Sequence, residues 1–425
     1  MKFDAVLFDL DGTLTESEPG IVSCVKYALQ RMGVDERDGA KLRKFIGPPL
    51  FASFRDLYHM ADEDCERAIA FYRERFSRVG WMENRVYGGI IPLLAALKKQ
   101  GVYIALCTGK PQEFAEKTLR YFELARYIDN IVGITFTDHD AEKEALVRRA
   151  LPEGYKNAVM VGDRMYDMEG AVKNGITAAG VLYGYGSEDE LKNAGADAIL
   201  KTVDDLAEYL LGEKLPRRGA FITMEGSDGC GKSTQARMLA QKLELMGFDV
   251  VRTREPGGSP IAERIRDLVL DVKAQGMTDI TEALLFAASR AQHVSDTILP
   301  AIRSGKIVLC DRFIDSSVAF QAYGRDLGED WILGINRRGL QGVWPDLTLF
   351  FEIDPEEAIR RRLGATAPDR IEVENNDFVD RVYEGFQKVK NGDAARVRPV
   401  DAGGTPAQVH ERVMNVIFES GVMEK

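Results

Sequence analysis

The chain has 425 residues, and 56 Lys and Arg against 67 Asp and Glu leave it with a formal net charge of −11. Because one hydrophobic core rarely extends beyond about 250–300 residues, this length predicts more than one domain. With 45% hydrophobic and 29% charged residues, the composition excludes a disordered, collagenous or disulfide-stapled chain. The acidic balance argues against non-specific binding to nucleic-acid polymers, although a few local cations still suffice for small phosphorylated substrates.

The five cysteines are scattered without paired spacing, which indicates reduced thiols and no zinc site. The first residues lack the basic and apolar regions of a signal peptide, so none is expected. No stretch reaches the roughly 18 consecutive apolar residues that a membrane-spanning helix needs. We therefore expect a cytoplasmic protein with no membrane partner.

Short apolar runs alternate with helical patterns throughout the chain. Candidate strands lie at residues 5–8, 102–107, 158–161, 220–224, 306–310 and 347–353. This alternation predicts an α/β fold of doubly wound parallel sheets with helices on both faces. Residues 16–85 show only helical patterns and are predicted to form an insertion after the first strand. The glycine, proline and charges of residues 212–218 predict a linker between domains at 1–211 and 219–425.

Acidic, hydroxyl and lysine residues stand at the predicted strand ends of the first half, or just before a helix. In chain order they are Asp9, Asp11, Thr108, Lys143, Asp163 and Asp167. Because open α/β sheets bind ligands at the carboxyl ends of their strands, we expect these side chains to meet at one edge.

Residues 1–211 resemble the haloacid dehalogenase superfamily of phosphatases, in the group with a helical cap after the first strand. The resemblance implies that Asp9 is the nucleophile, and that Asp11 is the general acid and then the base. It implies that Thr108 and Lys143 bind the phosphoryl oxygens. It also implies a Mg²⁺ ion on Asp9, Asp163 and the carbonyl of Asp11, with Asp167 supporting the metal or Lys143. The second carboxylate, Asp11, favours a phosphatase or phosphomutase over a dehalogenase.

The substrate of this half stays open. Residues 46–50 with Phe54 in the insertion, together with residues 108–111, resemble the phosphoglycolate phosphatase and bacterial 5′-nucleotidase branch. The cap would close over the site and contact the leaving group. Lys110 is either a second phosphate ligand or an exposed lysine at the start of a helix.

The second half opens with a phosphate-binding loop, GSDGCGKS at residues 226–233, between the strand 220–224 and a helix reaching about residue 246. Backbone N–H groups and the helix N-terminus would hold phosphates, Lys232 would reach between them, and Ser233 would bind Mg²⁺. The predicted nucleotide-binding residues are Gly226, Ser227, Asp228, Gly229, Cys230, Gly231, Lys232, Ser233 and Thr234. This loop by itself indicates only nucleoside triphosphate binding, which an ATPase or GTPase would share.

Further motifs indicate which class of nucleoside triphosphate-binding protein the second half resembles. They are TREPGG at 253–258, LFAASRAQH at 285–293, DRF at 311–313 with SSVAFQ at 316–321, and DRIE at 369–372. Together with the phosphate-binding loop, they make residues 218–425 closely resemble thymidylate kinase. The resemblance implies ATP as the phosphoryl donor and dTMP as the acceptor.

The resemblance also implies one set of dTMP ligands: Asp228 for the sugar 3′-hydroxyl, Arg254 and Arg312 for the 5′-phosphate, Phe286 for stacking on thymine, Arg290 and Gln321 for the base edge, Phe320 for crowding the 2′ position, and Ser317. Asp311 would lie near Mg²⁺ or Arg312. Taken singly, Phe286 is more typical of a helix core and Gln321 of a solvated position, and Arg312 is also open to interpretation as a surface ion pair. As members of the ordered set, we interpret all three as binding residues. Cys230 is interpreted as a small loop residue, with a redox role as the alternative.

The phosphate-binding loop has Gly229 where some thymidylate kinases carry an arginine, so a lid would have to supply one. The candidates flank residues 364–367 and are Arg360, Arg361, Arg362 and Arg370. Ala365 and Thr366 stand where related lids have Arg-Gly. We hypothesise that Arg361, Arg362 or Arg370 replaces the missing arginine, whereas Arg360 is equally typical of a solvated helix face. Lys232, Arg312 and Arg370 are the predicted catalytic cations of this half.

The combined expectation is a bifunctional enzyme that acts on small molecules, with a phosphatase in the first half and a dTMP kinase in the second. One alternative makes the first half a non-catalytic or regulatory module beside an active kinase. Another makes the second half an ATP-dependent regulator of the phosphatase. Because hydrolysis of dTMP would create a futile cycle, we expect another phosphatase substrate. By analogy with similar kinases, we expect a homodimer.

Overall fold

The computed structural model describes residues 2–135, 142–215, 219–274, 276–362, 370–371, 374 and 376–424. The chain divides into two compact units, Met1–Leu215 with Leu245–Gly247, and Pro216–Glu244 with Phe248–Lys425. The division after residue 215 falls inside the predicted linker, of which residues 216–218 lie outside the described residues. Among the described helices, none is both long and apolar enough to cross a membrane.

The first unit is built on a central parallel sheet. Its strands are β1 (Ala5–Phe8), β2 (Thr15–Glu16), β3 (Arg85–Val86), β4 (Tyr103–Pro111), β5 (Asn130–Ile134), β6 (Ala158–Gly162), β7 (Thr177–Val181) and β8 (Ala198–Leu200). Six of them pair in the order β5-β4-β1-β6-β7-β8, all in parallel. Every residue of β1 is buried, as is typical of a central strand covered on both faces.

The helices of the first unit cover this sheet and form the insertion. They are α1 (Glu18–Arg31), α2 (Gly39–Arg43), α3 (Leu50–Tyr58), α4 (Asp62–Arg78), α5 (Ile90–Lys99), α6 (Gln112–Tyr121), α7 (Lys143–Ala150), α8 (Met165–Lys173), α9 (Glu188–Asn193) and α10 (Val203–Leu211), with 3₁₀ turns at Gly80–Met82 and Ala125–Tyr127. Helices α1 to α4 pack around an apolar cluster of their own, which includes Cys24, Phe45 and Phe54.

Two details of the first unit differ from the prediction. The insertion is flanked by an antiparallel ribbon of β2 and β3, which the helical interpretation of residues 16–85 missed because two-residue strands carry no periodic pattern. Strand β4 does not end at residue 107 but continues to Pro111 beyond an irregularity after Cys107. Thr108 and Lys110 therefore belong to the strand itself, because Pro111 pairs again with Ile134 of β5.

The second unit holds a five-stranded parallel sheet. Its strands are β9 (Phe221–Gly226), β10 (Val250–Arg254), β11 (Ile307–Asp311), β12 (Leu347–Glu352) and β13 (Val397–Asp401). Their order in the sheet is β10-β11-β9-β12-β13. The predicted α/β class with parallel sheets is thus confirmed for both halves.

Helices and helical turns connect these strands. They are α11 (Lys232–Leu245), α12 (Pro260–Leu270), α13 (Asp279–His293), α14 (Leu299–Arg303), α15 (Ile314–Ser317), α16 (Glu329–Asn336), α17 (Pro355–Arg362), α18 (Asn376–Gly392) and α19 (Pro406–Glu419), with π-helical turns at Val294–Ile298 and Val318–Gly324 and a 3₁₀ turn at Val422–Glu424. The carboxyl ends of β9, β10 and β11 carry the motifs singled out in the sequence.

Candidate active sites

The first site begins where β1 ends. The backbone N–H of Asp9 donates to the carbonyl of Val161 at 2.9 Å, which continues the pairing of β1 with β6. The chain then turns at Gly12, whose φ of +88° is a left-handed conformation that favours glycine. A Cβ at this position would lie 2.2 Å from Oδ2 of Asp163, so the glycine also allows that carboxylate to approach.

Three buried carboxylates and one lysine meet at this edge of the sheet. One carboxylate oxygen each of Asp9, Asp163 and Asp167 lie within 4.8 Å of one another. Lys143 begins α7, and its Nζ lies 2.7 Å from Oδ1 of Asp9 and 2.5 Å from Oδ1 of Asp167. Asp163 also accepts hydrogen bonds from the Thr13 hydroxyl at 3.3 Å and the Tyr185 N–H at 2.8 Å. The structure brings together these four residues, which the sequence placed 158 positions apart or less.

The electrostatics of this cluster fit a hard divalent cation. Burial raises the pKa of Asp9 to about 6, with the charges of Asp167 and Asp11 adding to the rise and Lys143 opposing it. Burial, reinforced by Asp167 and Asp9, also raises the pKa of Asp163 well above its ordinary value. Although burial disfavours its charge, the two neighbouring carboxylates hold the pKa of Lys143 above its usual range. Crowded carboxylates offer the oxygen atoms that Mg²⁺ prefers, and Lys143 offsets only part of their charge.

Asp11 has a different environment from these three carboxylates. Nζ of Lys110 lies 2.9 Å from its Oδ1 and 3.1 Å from its Oδ2, and the lysine side chain is only 4% exposed. The alternative of an exposed lysine at a helix start is therefore wrong. Thr108 is buried beside this pair, and its hydroxyl accepts from the N–H of Lys110 at 3.2 Å.

Part of the cap lies against this site. Nη1 of Arg164, the residue after Asp163, donates to the carbonyl of Ile46 at 2.7 Å, so the 46–50 loop lies beside the loop that carries Asp163. The ring of Phe76 in α4 lies 5.3 Å from Nζ of Lys110. Phe54, in contrast, is fully buried in the core of the cap against Phe45, so it supports packing.

The second site begins where β9 ends. The loop after Gly226 leads to Lys232, the first residue of α11, whose buried Nζ donates to the carbonyls of Gly226 at 2.9 Å and Ser227 at 2.8 Å. The hydroxyl of Ser233 donates to Oδ2 of Asp311 at 2.9 Å. Because β11 lies next to β9 in the sheet, Asp311 ends beside the start of α11. A hydroxyl and a carboxylate in contact are a suitable pair of oxygens for Mg²⁺.

The remaining loop residues surround Lys232 in sequence: Ser227, Asp228, Gly229, Cys230, Gly231 and Thr234. Cys230 is buried, and its sulfur lies 3.7 Å from Nζ of Lys232. This burial agrees with its interpretation as a small structural residue of the loop.

Arg312 joins the phosphate-binding loop to the segment after β11. Its Nη2 donates to Oδ1 of Asp228 at 2.7 Å, and its Nη1 donates to the hydroxyl of Ser316 at 3.0 Å. The guanidinium lies 5.2 Å from the ring centre of the half-buried Phe320. Burial disfavours its charge, yet the nearby carboxylates of Asp228 and Glu225 hold the pKa of Arg312 above its ordinary value. A mostly buried arginine of this kind is not a surface ion pair.

The other predicted phosphate ligand is more open to solvent. Arg254 ends β10 in register with Asp311 on β11. Its side chain is 55% exposed and pairs with Glu263 at 3.0 Å. A long exposed arginine at the carboxyl edge of the sheet has the reach that a phosphate ligand needs.

Arg290 is 2% exposed and makes a dense set of internal contacts. Its Nε donates to Glu255 at 2.8 Å and its Nη1 to Asn336 at 2.6 Å. Its Nη2 donates to the carbonyl of Phe313 at 3.1 Å and to the hydroxyl of Ser317 at 3.0 Å. Sequence reasoning missed this packing role. The predicted contact of Arg290 with a base edge stays a prediction.

Gln321 is 1% exposed, so its interpretation as a solvated residue is wrong. Its Nε2 donates to Oε1 of Glu282 at 3.0 Å. Glu282 lies one helical turn before the half-buried Phe286 on α13, and sequence reasoning missed it. The available signal was the i,i+4 spacing, which puts the carboxylate on the same helix face as the predicted stacking residue.

The structure describes the side chains of three of the four candidate lid arginines. Arg360 is exposed and pairs with Glu357, in agreement with a solvated helix face. Arg361 also contacts Glu357 and donates to the carbonyl of Ala402 at 2.9 Å. Arg370 donates to Oε2 of Glu282 at 2.7 Å and to the carbonyl of Val269 at 3.0 Å, neither of which belongs to the phosphate-binding loop. The Arg362 side chain and residues 364–367, 369 and 372 lie outside the described residues.

The two halves of the chain match different families of known proteins. The family model "Haloacid dehalogenase-like hydrolase" matches residues 6–181, and the family model "Thymidylate kinase" matches residues 224–413. A thymidylate kinase of Finegoldia magna is 46% identical over 203 residues, which cover 48% of this chain and all of that protein.

Two solved structures are also similar. A predicted phosphatase from Clostridium acetobutylicum is 43% identical, with a TM-score of 0.47, and the match covers 50% of this chain and 100% of that chain. A thymidylate kinase from Ehrlichia chaffeensis is 34% identical, with a TM-score of 0.39, over 47% of this chain and 99% of that chain.

The chain belongs to the thymidylate kinase family through its second half, and its first half is a haloacid dehalogenase-like hydrolase domain. Both resemblances read from the sequence are thereby confirmed. The protein is an enzyme in which a phosphatase-type and a kinase-type domain are fused in one chain.

Proposed function

We propose that the second half phosphorylates dTMP to dTDP with ATP. The observation that carries this proposal is the contact of Ser233 with Asp311 beside Lys232, in a chain whose second half matches a thymidylate kinase over its full length. In the reaction, an oxygen of the dTMP phosphate attacks the γ-phosphorus of ATP, and the bond from that phosphorus to the departing ADP oxygen breaks. Catalysis of this transfer depends mainly on positioning and on charge neutralisation.

Each charged residue has a defined task in this proposal. Lys232 exchanges the carbonyls of Gly226 and Ser227 for phosphate oxygens when ATP binds, because those are weaker acceptors than anionic phosphate. Ser233 and Asp311 would hold Mg²⁺, which supplies positive charge next to the phosphates. Arg254 and Arg312 hold the 5′-phosphate of dTMP.

The nucleoside is bound by neighbouring side chains. Asp228 contacts the 3′-hydroxyl, Phe286 stacks on the thymine, and Phe320 crowds the 2′ position. Gln321 and Arg290 contact the base edge, with Ser317 close to Arg290. The half-buried state of Phe286 and Phe320 supports these roles, since a stacking ring needs one face open to the ligand.

A lid arginine completes the kinase site in this proposal. Arg361, Arg362 or Arg370 would neutralise the charge that develops on the transferred group, an effect worth about 10³-fold or more. Alanine at each position in turn, followed by steady-state kinetics with ATP and dTMP, tests it. At least one variant should lose about this factor in kcat, and three variants with an unchanged kcat would contradict the idea.

We propose that the first half hydrolyses a phosphate monoester through a phosphorylated Asp9. The observation that carries this proposal is the cluster of Asp9, Asp163, Asp167 and Lys143. An oxygen of Asp9 attacks the phosphorus while Asp11 gives its proton to the leaving alcohol. Asp11 then takes a proton from water, whose oxygen attacks the phosphorus and releases phosphate and Asp9.

The other groups of this site balance charge. Asp9, Asp163 and the carbonyl of Asp11 would hold Mg²⁺, which neutralises the carboxylates and the phosphoryl oxygens. Thr108 and Lys143 bind those oxygens, and Asp167 orients Lys143. The substrate is a phosphate ester other than dTMP, for instance another nucleotide or a phosphoglycolate-like metabolite. Rapid hydrolysis of dTMP by a Lys232→Ala variant would refute this restriction.

Two matched variants of the full chain test both activities. Asp9→Asn should abolish phosphate release from a panel of phosphate esters and leave ADP formation with dTMP unchanged. Lys232→Ala should do the reverse. If wild type and Asp9→Asn release phosphate equally, the first half is a non-catalytic or regulatory module. If ATP alters phosphate release but dTMP never stimulates ADP formation, the second half is a regulator instead.

We propose a cytoplasmic homodimer. The cysteines at 24, 65, 107, 230 and 310 are all free and buried, as expected in a reducing compartment. Exposed apolar side chains at Ile261 and Leu268 on α12 and at Ile280 and Leu284 on α13 would be covered by a second copy. Analytical ultracentrifugation of wild type and of an Ile280→Lys/Leu284→Lys variant tests this proposal. Wild type should have the mass of a dimer and the variant that of a monomer. A monomeric mass for wild type would refute it.

A further inference from the structure

The fully buried carboxylate of Glu282 connects three segments of the kinase unit. Its Oε1 accepts from Nε2 of Gln321 at 3.0 Å and from Nε of Arg325 at 3.3 Å. Its Oε2 accepts from Nη2 of Arg325 at 2.9 Å and from Nη2 of Arg370 at 2.7 Å. Glu282 thus links α13, the π-helical turn that carries Gln321, and the described end of the lid segment.

Glu282 can act only as an acceptor in this arrangement. Burial opposes its charge, but the donors on Arg325, Gln321 and Arg370 hold the pKa of Glu282 below its ordinary value. An ionised carboxylate has no proton to give, so the side-chain amide of Gln321 must present its NH₂ group to Glu282. The other orientation would place two acceptors against each other in a buried site, which is unfavourable.

Because the NH₂ group of Gln321 faces Glu282, the side-chain carbonyl oxygen Oε1 is the group available for the base. Among the described residues, none donates a hydrogen bond to Oε1 of Gln321. Thymine and uracil carry an N3–H donor, whereas cytosine carries a lone pair at N3. If Oε1 of Gln321 faces the base, it accepts a hydrogen bond from the N3–H of thymine and is repelled by the N3 lone pair of cytosine.

We propose that Glu282 is a positioning residue that makes the kinase selective for bases with an N3–H, because it holds Gln321 in the acceptor orientation. The inference rests on the proposed dTMP kinase function and on the proposed contact of Gln321 with the base edge. It assigns Glu282 no contact with the substrate. Arg325 and Arg370 keep the carboxylate ionised and so maintain the selection.

The test is Glu282→Gln in the full chain, with kcat/KM measured for dTMP, dUMP and 5-methyl-dCMP. A glutamine at 282 can accept or donate, so both orientations of Gln321 become available. We expect the ratio of kcat/KM for dTMP to that for 5-methyl-dCMP to fall by about tenfold or more. The ratio for dTMP to dUMP should not change, because both bases present the same N3–H.

The matched control is Glu374→Gln. Glu374 pairs with Arg325 at 2.7 Å, whereas Glu282 pairs with it at 2.9 Å; among the described residues, Glu374 makes no hydrogen bond to Gln321. Its dTMP to 5-methyl-dCMP ratio should equal that of wild type. An unchanged ratio in Glu282→Gln, or an equal fall in Glu374→Gln, would overturn the inference.

Two further outcomes are distinguishable. If wild type makes no dTDP at all, the proposed kinase function fails and the inference fails with it. If wild type makes dTDP and only the expected change of ratio is missing, the kinase function stands and the inference alone fails. Should Glu282→Gln not fold, the double variant Glu282→Gln/Arg325→Gln removes a buried charge pair together and is assayed in the same way.

Discussion

The ammonium group of Lys110 lies 2.9 Å from Oδ1 and 3.1 Å from Oδ2 of Asp11, in the first candidate active site. Among the residues that the structure describes, the carboxylates of Asp9, Asp11 and Asp167 pair with two ammonium groups, those of Lys110 and Lys143, and the carboxylate of Asp163 lies close by. A phosphate ester adds further negative charge. We therefore expect Lys110 to supply charge that offsets the bound phosphate ester, besides holding the proposed general acid.

We predict that Lys110→Met lowers kcat/KM for phosphate-ester hydrolysis by about tenfold or more, because the methionine keeps most of the length of the side chain but removes its charge. Lys98→Met is the control, since Lys98 pairs with Asp129 at 2.7 Å on the surface. Phosphate release and kinase activity are measured for both variants. Equal phosphatase activity in Lys110→Met and Lys98→Met would show that Lys110 is not needed.

The carboxylate cluster predicts a strict metal requirement for the phosphatase. Chelation should abolish phosphate release, and added Mg²⁺ should restore it. Asp163→Asn should raise the Mg²⁺ concentration for half-maximal activity about tenfold or more, because it removes one charged ligand. The control is Asp197→Asn, since Asp197 accepts from the backbone N–H of Ala178 away from the cluster. A chelated enzyme that keeps full activity would contradict the metal site.

Breaking the buried ion pair of Glu255 and Arg290 should lower the free energy of unfolding strongly. Glu255→Gln removes the charge that faces Arg290 at 2.8 Å and His293 at 3.0 Å, and should cost about 3–5 kcal/mol of unfolding free energy. Glu419→Gln breaks an exposed pair with Arg398 and should cost at most about 1 kcal/mol. Urea unfolding is followed through the transition that ATP and dTMP shift upwards. Equal midpoints for the two variants would refute this difference.

Because Glu225 is buried, we predict that the urea unfolding of the kinase unit depends on pH. Burial, with the charge of Asp315, raises its pKa to about 7, against an ordinary value of 4.5, while Arg312 opposes the rise. Between these two pH values the folded state keeps a proton that the unfolded state has lost. The stabilisation is thus complete below about pH 4.5 and is lost as the pH rises through 7, by up to roughly 3 kcal/mol.

Glu225→Gln should remove this pH dependence, because glutamine keeps an acceptor for the N–H groups of Phe313 and Ser316 but does not titrate. The urea midpoint is measured for both proteins at pH 5 and pH 8. Other titrating groups contribute equally to both, so the difference between the two profiles belongs to Glu225. Parallel profiles would show that Glu225 does not titrate in this range.

The sequence by itself determined the α/β class, the order of the motifs and the two family resemblances. Strands such as β1 and helices such as α10 are readable because apolar periodicity is a local property of the chain. The motif residues Asp9 and Lys232 are readable because a strand end followed by a turn is also local. Short elements without a period, such as β2 and β3, were missed for the same reason.

Only the tertiary structure decided which partners these residues have. Lys110 meets Asp11 across 99 positions, Arg370 meets Glu282 across 88, and Arg290 meets Glu255 across 35. Such contacts depend on how strands and helices pack, and no local pattern encodes which buried charge finds which partner. The sequence indicated the candidate residues of both sites, and packing set whether each side chain is exposed or paired.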